Sequence, residues 1–196
     1  MSTDGSWAQA ERWVPAAVAG DPTAVDQLIR CTQADVWRFI ASLAGRGEAD
    51  DLTQETYLRA LRALGGFEGR SGLRTWLLVI ARRTVVDHLR RQASRPRTAD
   101  LDDWTVPAER AAARWRPSSR SSGAATEVTD LLDRLPVERR EALVLTQLVG
   151  LGYAEAADVI GCPVGTVRSR VARAREELAT MLAAGGGQEG PSAAAR

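Results

Sequence analysis

Apolar residues fall at three- and four-residue steps along two stretches of this chain, and a segment with no such period lies between them. That pattern favours helical domains on either side of a tether. Asp21-Pro22 offers a capping side chain followed by a proline suited to a first helical turn. Beyond it Val25, Leu28, Ile29, Val36, Phe39, Ile40 and Leu43 recur with helical spacing, with Thr32-Gln33 a candidate break. A further helix is predicted from about Glu48 to Leu64, carrying Leu52, Leu58, Leu61 and Leu64 and stopped by Gly65-Gly66. A Gly-rich loop from Phe67 to Gly72 follows, then a helix from about Leu73 to Gln92.

From about Ser94 to Thr126 the chain turns to Pro, Ser, Ala and charge, which predicts a flexible linker holding at most a turn or two near Ala108 to Trp115. Helical spacing resumes at Val128 and runs to about Leu182, and the Gly/Ala-rich tail is expected to be disordered. No strand-like alternation and no internal repeat appears. The expected fold is all-α, with one helical domain over 1–95, a linker over 96–126, a second domain over 127–184 and a tail over 185–196.

Composition removes several function classes. A chain of 196 residues that is 44% hydrophobic can bury a core, and nothing in it approaches the ~18 consecutive apolar residues of a membrane span. The start, Met1-Ser2-Thr3-Asp4-Gly5, lacks the basic and apolar regions of a secretory signal. Cys31 and Cys162 stand alone and His88 is the single histidine, so neither a metal knuckle nor a disulfide framework is expected. The expected setting is the reducing cytoplasm, with no cofactor, metal or membrane partner. The 26 basic residues balance 25 acidic ones and are all arginine. Arginine's planar fork suits phosphates and guanine edges, but a GC-rich genome would favour it too, so placement decides.

Placement is most informative near the C-terminus. A short helix from Tyr153 to Ile160, a turn at Gly161-Cys162-Pro163 and a longer helix from Val164 have the layout of a helix-turn-helix. In the longer helix Val164, Val167, Val171, Ala174, Leu178 and Leu182 form an apolar seam with steps of 3, 4, 3, 4 and 4. The seam turns Gly165, Thr166, Ser169, Ala172 and Arg173 outward, with Arg168 and Arg175 on one flank and Arg170 on the other. Small residues near the start of such a helix let its backbone approach the major groove, while Arg can read guanine or hold phosphate. The alternative is a helical hairpin whose arginines pair with Glu176 and Glu177.

The segments Leu135-Pro136-Val137-Glu138-Arg139-Arg140-Glu141-Ala142-Leu143, Gly152-Tyr153-Ala154-Glu155-Ala156-Ala157 and 162–175 resemble region 4 of the extracytoplasmic-function (ECF) sigma factors. The resemblance implies recognition of the −35 promoter element. By position it assigns that role to Thr166, Arg168, Ser169, Arg170, Ala172, Arg173 and Arg175.

The other half resembles the same family. Ala49-Asp50-Asp51-Leu52-Thr53-Gln54-Glu55-Thr56-Tyr57-Leu58-Arg59-Ala60 is similar to region 2.2, which implies docking on the clamp coiled coil of core RNA polymerase through Asp50, Asp51, Gln54, Glu55 and Arg59. Residues 67–83 resemble regions 2.3 and 2.4, which implies opening of the −10 element and capture of a flipped base in the loop. Replacing lost stacking and guiding a freed strand needs an aromatic and a basic groove. The resemblance assigns these tasks to Phe67, Arg70, Ser71, Arg74, Arg82, Arg83, His88 and Arg91. Trp76 reads as core rather than as a melting wedge, and Arg74 as either a phosphate contact or a solvated side chain. Subgroup features at 32–39, 74–78 and 94–98 resemble the actinobacterial SigC type.

The implied activity is that of an alternative sigma factor without catalysis of its own. Its implied partners are core polymerase (clamp and flap), promoter DNA and an anti-sigma factor. Two rivals make different demands. A stand-alone helix-turn-helix repressor would bind palindromic DNA without polymerase, and a phosphotransfer enzyme acting through His88 would need a nucleotide-binding partner domain that this sequence does not display.

Overall fold

The computed structural model describes residues 3–94 and 130–185; the expected linker and nearly all of the expected tail lie outside them. The described residues form helices and turns without strands. Four helices make the first half: α1 (Thr3–Val18), α2 (Pro22–Ala44), α3 (Arg46–Ala63) and α4 (Leu73–Ser94). The second half contains α5 (Val137–Leu143), a π-helical continuation over Val144–Leu148, α6 (Tyr153–Ile160) and α7 (Val164–Gly185).

Local chemistry sets the helix ends. Asp21 caps α2 by accepting from the Thr23 amide at 2.8 Å, with Pro22 in the first turn. Gly45, at φ +84°, turns the chain between α2 and α3 in a region open only to glycine. The predicted break at Thr32-Gln33 is absent and α2 runs through it. The Thr32 hydroxyl bonds back to the Leu28 carbonyl at 2.8 Å and lies 2.7 Å from the buried Tyr57 hydroxyl, so a polar side chain is satisfied inside the core. The third helix begins at Arg46, ahead of the expected Glu48, and tightens into a 3₁₀ turn over Leu64–Gly66.

In the first half α1, α2, α3 and α4 pack together, and Phe39, Ile40, Leu73, Leu77 and Leu78 are fully buried. In the second, Val144, Leu145, Val149, Val167 and Val171 do the same. The expected seams hold in their middles and fail at two positions. Leu58 is 52% and Leu182 60% exposed, Leu58 because it lies beside the polar edge of α3 and Leu182 because α7 projects past the helices that cover its start.

The two halves also pack on each other. Helix α4 lies against α6, and α2 against α5. At this seam Arg82 donates to Glu141 through Nε at 2.6 Å, and the Arg140 guanidinium reaches the Ser42 carbonyl at 3.1 Å and the Asp133 carboxylate at 2.7 Å. Glu141 and Arg140 are both buried. Burial raises the Glu141 carboxyl above the usual glutamate range, with Arg82 acting against that rise. Burial likewise lowers the Arg140 guanidinium, and Asp133 opposes it.

Candidate nucleic-acid and polymerase interfaces

Helix α6 ends on Gly161, left-handed at φ +77°, whose amide bonds to the Ala157 carbonyl at 2.8 Å while Cys162 N reaches the same oxygen at 3.2 Å. This double closure is the glycine-terminated end expected at such a turn. Helix α7 then starts with the Thr166 amide on the Pro163 carbonyl. Its inward stripe of Val167, Val171 and Ala174 is fully buried, which fixes the rotation of the helix. Arg168, Ser169, Ala172, Arg173 and Arg175 are exposed as a result, and Thr166 is half-buried.

Three of the arginines are held in place. Arg168 stacks over the Tyr153 ring at 5.8 Å. Arg175 donates to the Gln147 side chain at 2.7 Å. Arg170 turns the other way, half-buried, with Nη1 4.0 Å from the Cys162 sulfur. It therefore sits at the back of the helix rather than on the outward face.

In the first half, the loop before α4 opens with Phe67 N on the Leu64 carbonyl. The Phe67 ring packs against Trp76 at 5.2 Å with a 55° tilt. Both rings are half-buried, so they brace the loop. Arg70 is 86% exposed at its side chain and pairs with Glu68, and Ser71 is half-buried. Arg74 lies with its guanidinium 5.7 Å from the Trp7 ring. Along α4, Arg83, Arg90 and Arg91 are exposed, whereas Arg82 points at Glu141 across the seam. His88 is half-buried, with Glu48 at 3.3 Å and Gln92 at 2.7 Å, so its ring is engaged by α3 and its own helix.

The polar edge of α3 has two characters. Asp51 and Gln54 are exposed, and Asp50 accepts from the Trp37 indole at 2.7 Å. Glu55 and Asp87 both accept from Arg59 at 2.8 Å. These bonds, Asp87 first, raise the Arg59 guanidinium above its ordinary value and clip α3 to α4. Gln33, Ala34, Trp37 and Arg38 of α2 join Asp50, Thr53 and Gln54 around an open groove of about 560 Å³. Sequence reading missed the α2 wall. Trp37 was its one signal, a large aromatic just off the buried stripe of α2.

Among the described residues no group of three or more His, Cys, Asp or Glu is placed to hold a metal, and no helix is long and apolar enough to cross a membrane. Sigma-70 region 2 matches residues 28–95, and sigma-70 region 4 matches residues 125–178. A probable RNA polymerase sigma-C factor of Mycobacterium bovis is 51% identical over 164 residues, covering 83% of this chain and 85% of the relative. The chain belongs to the ECF sigma factors. The ECF RNA polymerase sigma-E factor of Escherichia coli K12 is 34% identical over 175 residues, covering 81% and 86% of the two chains.

Two solved structures are also similar to this sigma factor. CnrH, in complex with the cytosolic domain of CnrY, aligns with a TM-score of 0.64 at 27% identity, over 88% of this chain and 96% of that one. The sigma factor RpoE of Bartonella quintana, in complex with the anti-sigma factor NepR, gives the same score and identity over 81% and 96%. The all-α, two-domain reading stands, and its halves coincide with regions 2 and 4.

Proposed function

We propose that this sigma factor docks on core RNA polymerase through the α2–α3 groove, opens −10 DNA with the loop at 67–72 and α4, and reads −35 DNA with α7. The observation that carries this reading is the exposed face of Arg168, Ser169, Ala172 and Arg173 on a rotationally fixed α7, in a chain that matches both sigma-70 regions. Arg173 supplies the base-reading fork, and Ala172 lets the helix approach the groove. Thr166, Arg168 and Arg175 approach the flanking backbone, and Arg170 supports the helix from behind.

In the first half, Phe67, Arg70 and Ser71 receive an extruded base. Arg74, Arg83 and Arg91 line the path of the freed strand, His88 borders it, and Arg82 joins once released from Glu141. Asp51 and Gln54 contact the clamp coiled coil, with Asp50 held by Trp37 and the Glu55–Arg59 pair stiffening the edge. The domains act as 1–95 and 127–184, joined by 96–126 and followed by a tail over 185–196, and the flap meets the second domain. The protein acts in the cytoplasm without a cofactor or a reaction of its own. An anti-sigma factor is a further partner, by analogy with the RpoE complex.

Distance imposes one consequence. Elements named for positions about 25 base pairs apart lie about 85 Å apart along B-DNA, at ~3.4 Å per step. Halves joined through Arg82–Glu141 at 2.6 Å cannot straddle that span, so promoter binding parts them. Polymerase docking and the tether then keep each weak contact at high effective concentration near its element.

Transcription with purified core polymerase on a promoter library is the test. Start-site choice that depends on this chain and on both elements is expected. Palindromic DNA binding without polymerase would favour the repressor reading instead. Asp51→Arg is expected to lose polymerase in a pull-down while the fold persists, and full recovery of polymerase would remove the α3 edge from the interface.

A further inference from the structure

Helix α4 begins without a capping side chain of its own. The residue before it is Gly72, which has no side-chain oxygen to offer the first amides, although its carbonyl receives the Trp76 amide at 3.1 Å. Helix starts of this kind leave donors unsatisfied unless an acceptor comes from elsewhere. Here it comes from 62 residues earlier in the chain. Glu11 of α1 accepts from the Leu73 amide through Oε1 at 3.2 Å. A carboxylate at this end also complements the positive pole of the α4 dipole.

One turn before Glu11, Trp7 holds the same junction from a second side. Its ring lies under the Arg74 guanidinium at 5.7 Å, and its indole N–H donates to the buried Asp35 at 2.7 Å. The Ser6 hydroxyl bonds to the Cys31 carbonyl, and Trp7, Ala10 and Ala17 are buried. Helix α1 is thereby packed on α2, and that packing positions Glu11 and Trp7 at the start of α4. Residues 3–18 lie ahead of the matched region 2, which begins at residue 28.

We propose that α1 is a clamp on the −10-reading junction and that Glu11 is its positioning residue, capping α4 so that the loop at 67–72 and Arg74 keep one geometry before DNA arrives. The proposal rests on the assignment of that loop to −10 opening. A preset loop does not have to be ordered at the moment a base is extruded, so the clamp lowers the cost of opening rather than adding a contact to DNA. Glu11 is itself exposed, which makes it removable without opening the core.

The test compares wild type, Glu11→Gln and Glu11→Ala in holoenzyme. The readouts are polymerase affinity, thermal midpoint and permanganate reactivity of −10 thymines on duplex and on premelted promoters. Glu11→Ala is expected to open duplex promoters about three- to tenfold less, as the loss of a helix cap implies. It should bind polymerase with unchanged affinity and match wild type on a premelted −10 element. Glu11→Gln keeps the accepting oxygen and should retain most opening. Wild-type opening by Glu11→Ala, or an equal defect on duplex and premelted templates, overturns the clamp. So does a Gln variant as impaired as Ala. Failure of wild type to open any promoter would instead remove the −10 reading beneath it.

Discussion

Arg173 and Glu141 show how residue environment decides role. Arg173 stands exposed on the outward face of α7, so its truncation removes the proposed DNA contact without disturbing the core. Arg173→Ala is expected to weaken −35-dependent initiation by about 1–3 kcal/mol, tenfold or more, and to leave output from promoters that lack a −35 element unchanged. Measuring both promoter classes separates readout from general damage. Glu141 is the opposite case, a carboxylate buried beside Arg82 with its ionisation pushed upward by burial. A raised folded-state value means that its stabilising contribution is fully present below the ordinary glutamate range and is lost as pH climbs through the raised value. Urea midpoints of wild type minus Glu141→Gln should therefore become less favourable to wild type from pH 4 to pH 8. A flat difference would contradict the assigned burial effect.

At the scale of elements, the buried Thr32–Tyr57 pair joins α2 to α3. Thr32→Val strands the hydroxyl of Tyr57, a residue only 7% exposed, and is expected to cost about 1–3 kcal/mol. Adding Tyr57→Phe should recover much of that loss, and thermal melts of the single and double variants check both. This pair also marks where sequence reading stops. Periodic apolar spacing made the helices legible, and Gly161 with Pro163 made the helix-turn-helix legible, because both signals are local. Thr32-Gln33 looked like a break because the burial of Thr32, bonded back to Leu28, depends on Tyr57, 25 residues away. For the same reason the cap from Glu11 was not visible in the sequence, and the α2 wall of the α2–α3 groove left only Trp37 as a signal. The assignments of Arg82 and Arg170 to DNA came from arginines in matching positions, and position alone could not show that Glu141 holds one and that the other faces Cys162.

At the scale of the whole molecule, two helical halves share a packed seam in the free chain, whereas a promoter presents its two elements about 85 Å apart. Among the described residues, the Arg82–Glu141 pair and the bond from Arg140 to the Ser42 carbonyl cross the seam. Both groups can exchange protein partners for water or phosphate as the halves separate. Two distances are expected for one chain, and labels at the exposed positions Arg90 and Glu176, in protein with Cys31 and Cys162 replaced, can read both by pulsed electron resonance. A single short distance in the free protein, replaced by one several tens of ångströms longer in an initiating complex with polymerase and promoter, is the expected result. Retention of the short distance in a complex that initiates transcription would contradict the reading of this chain as a factor that spans two promoter elements.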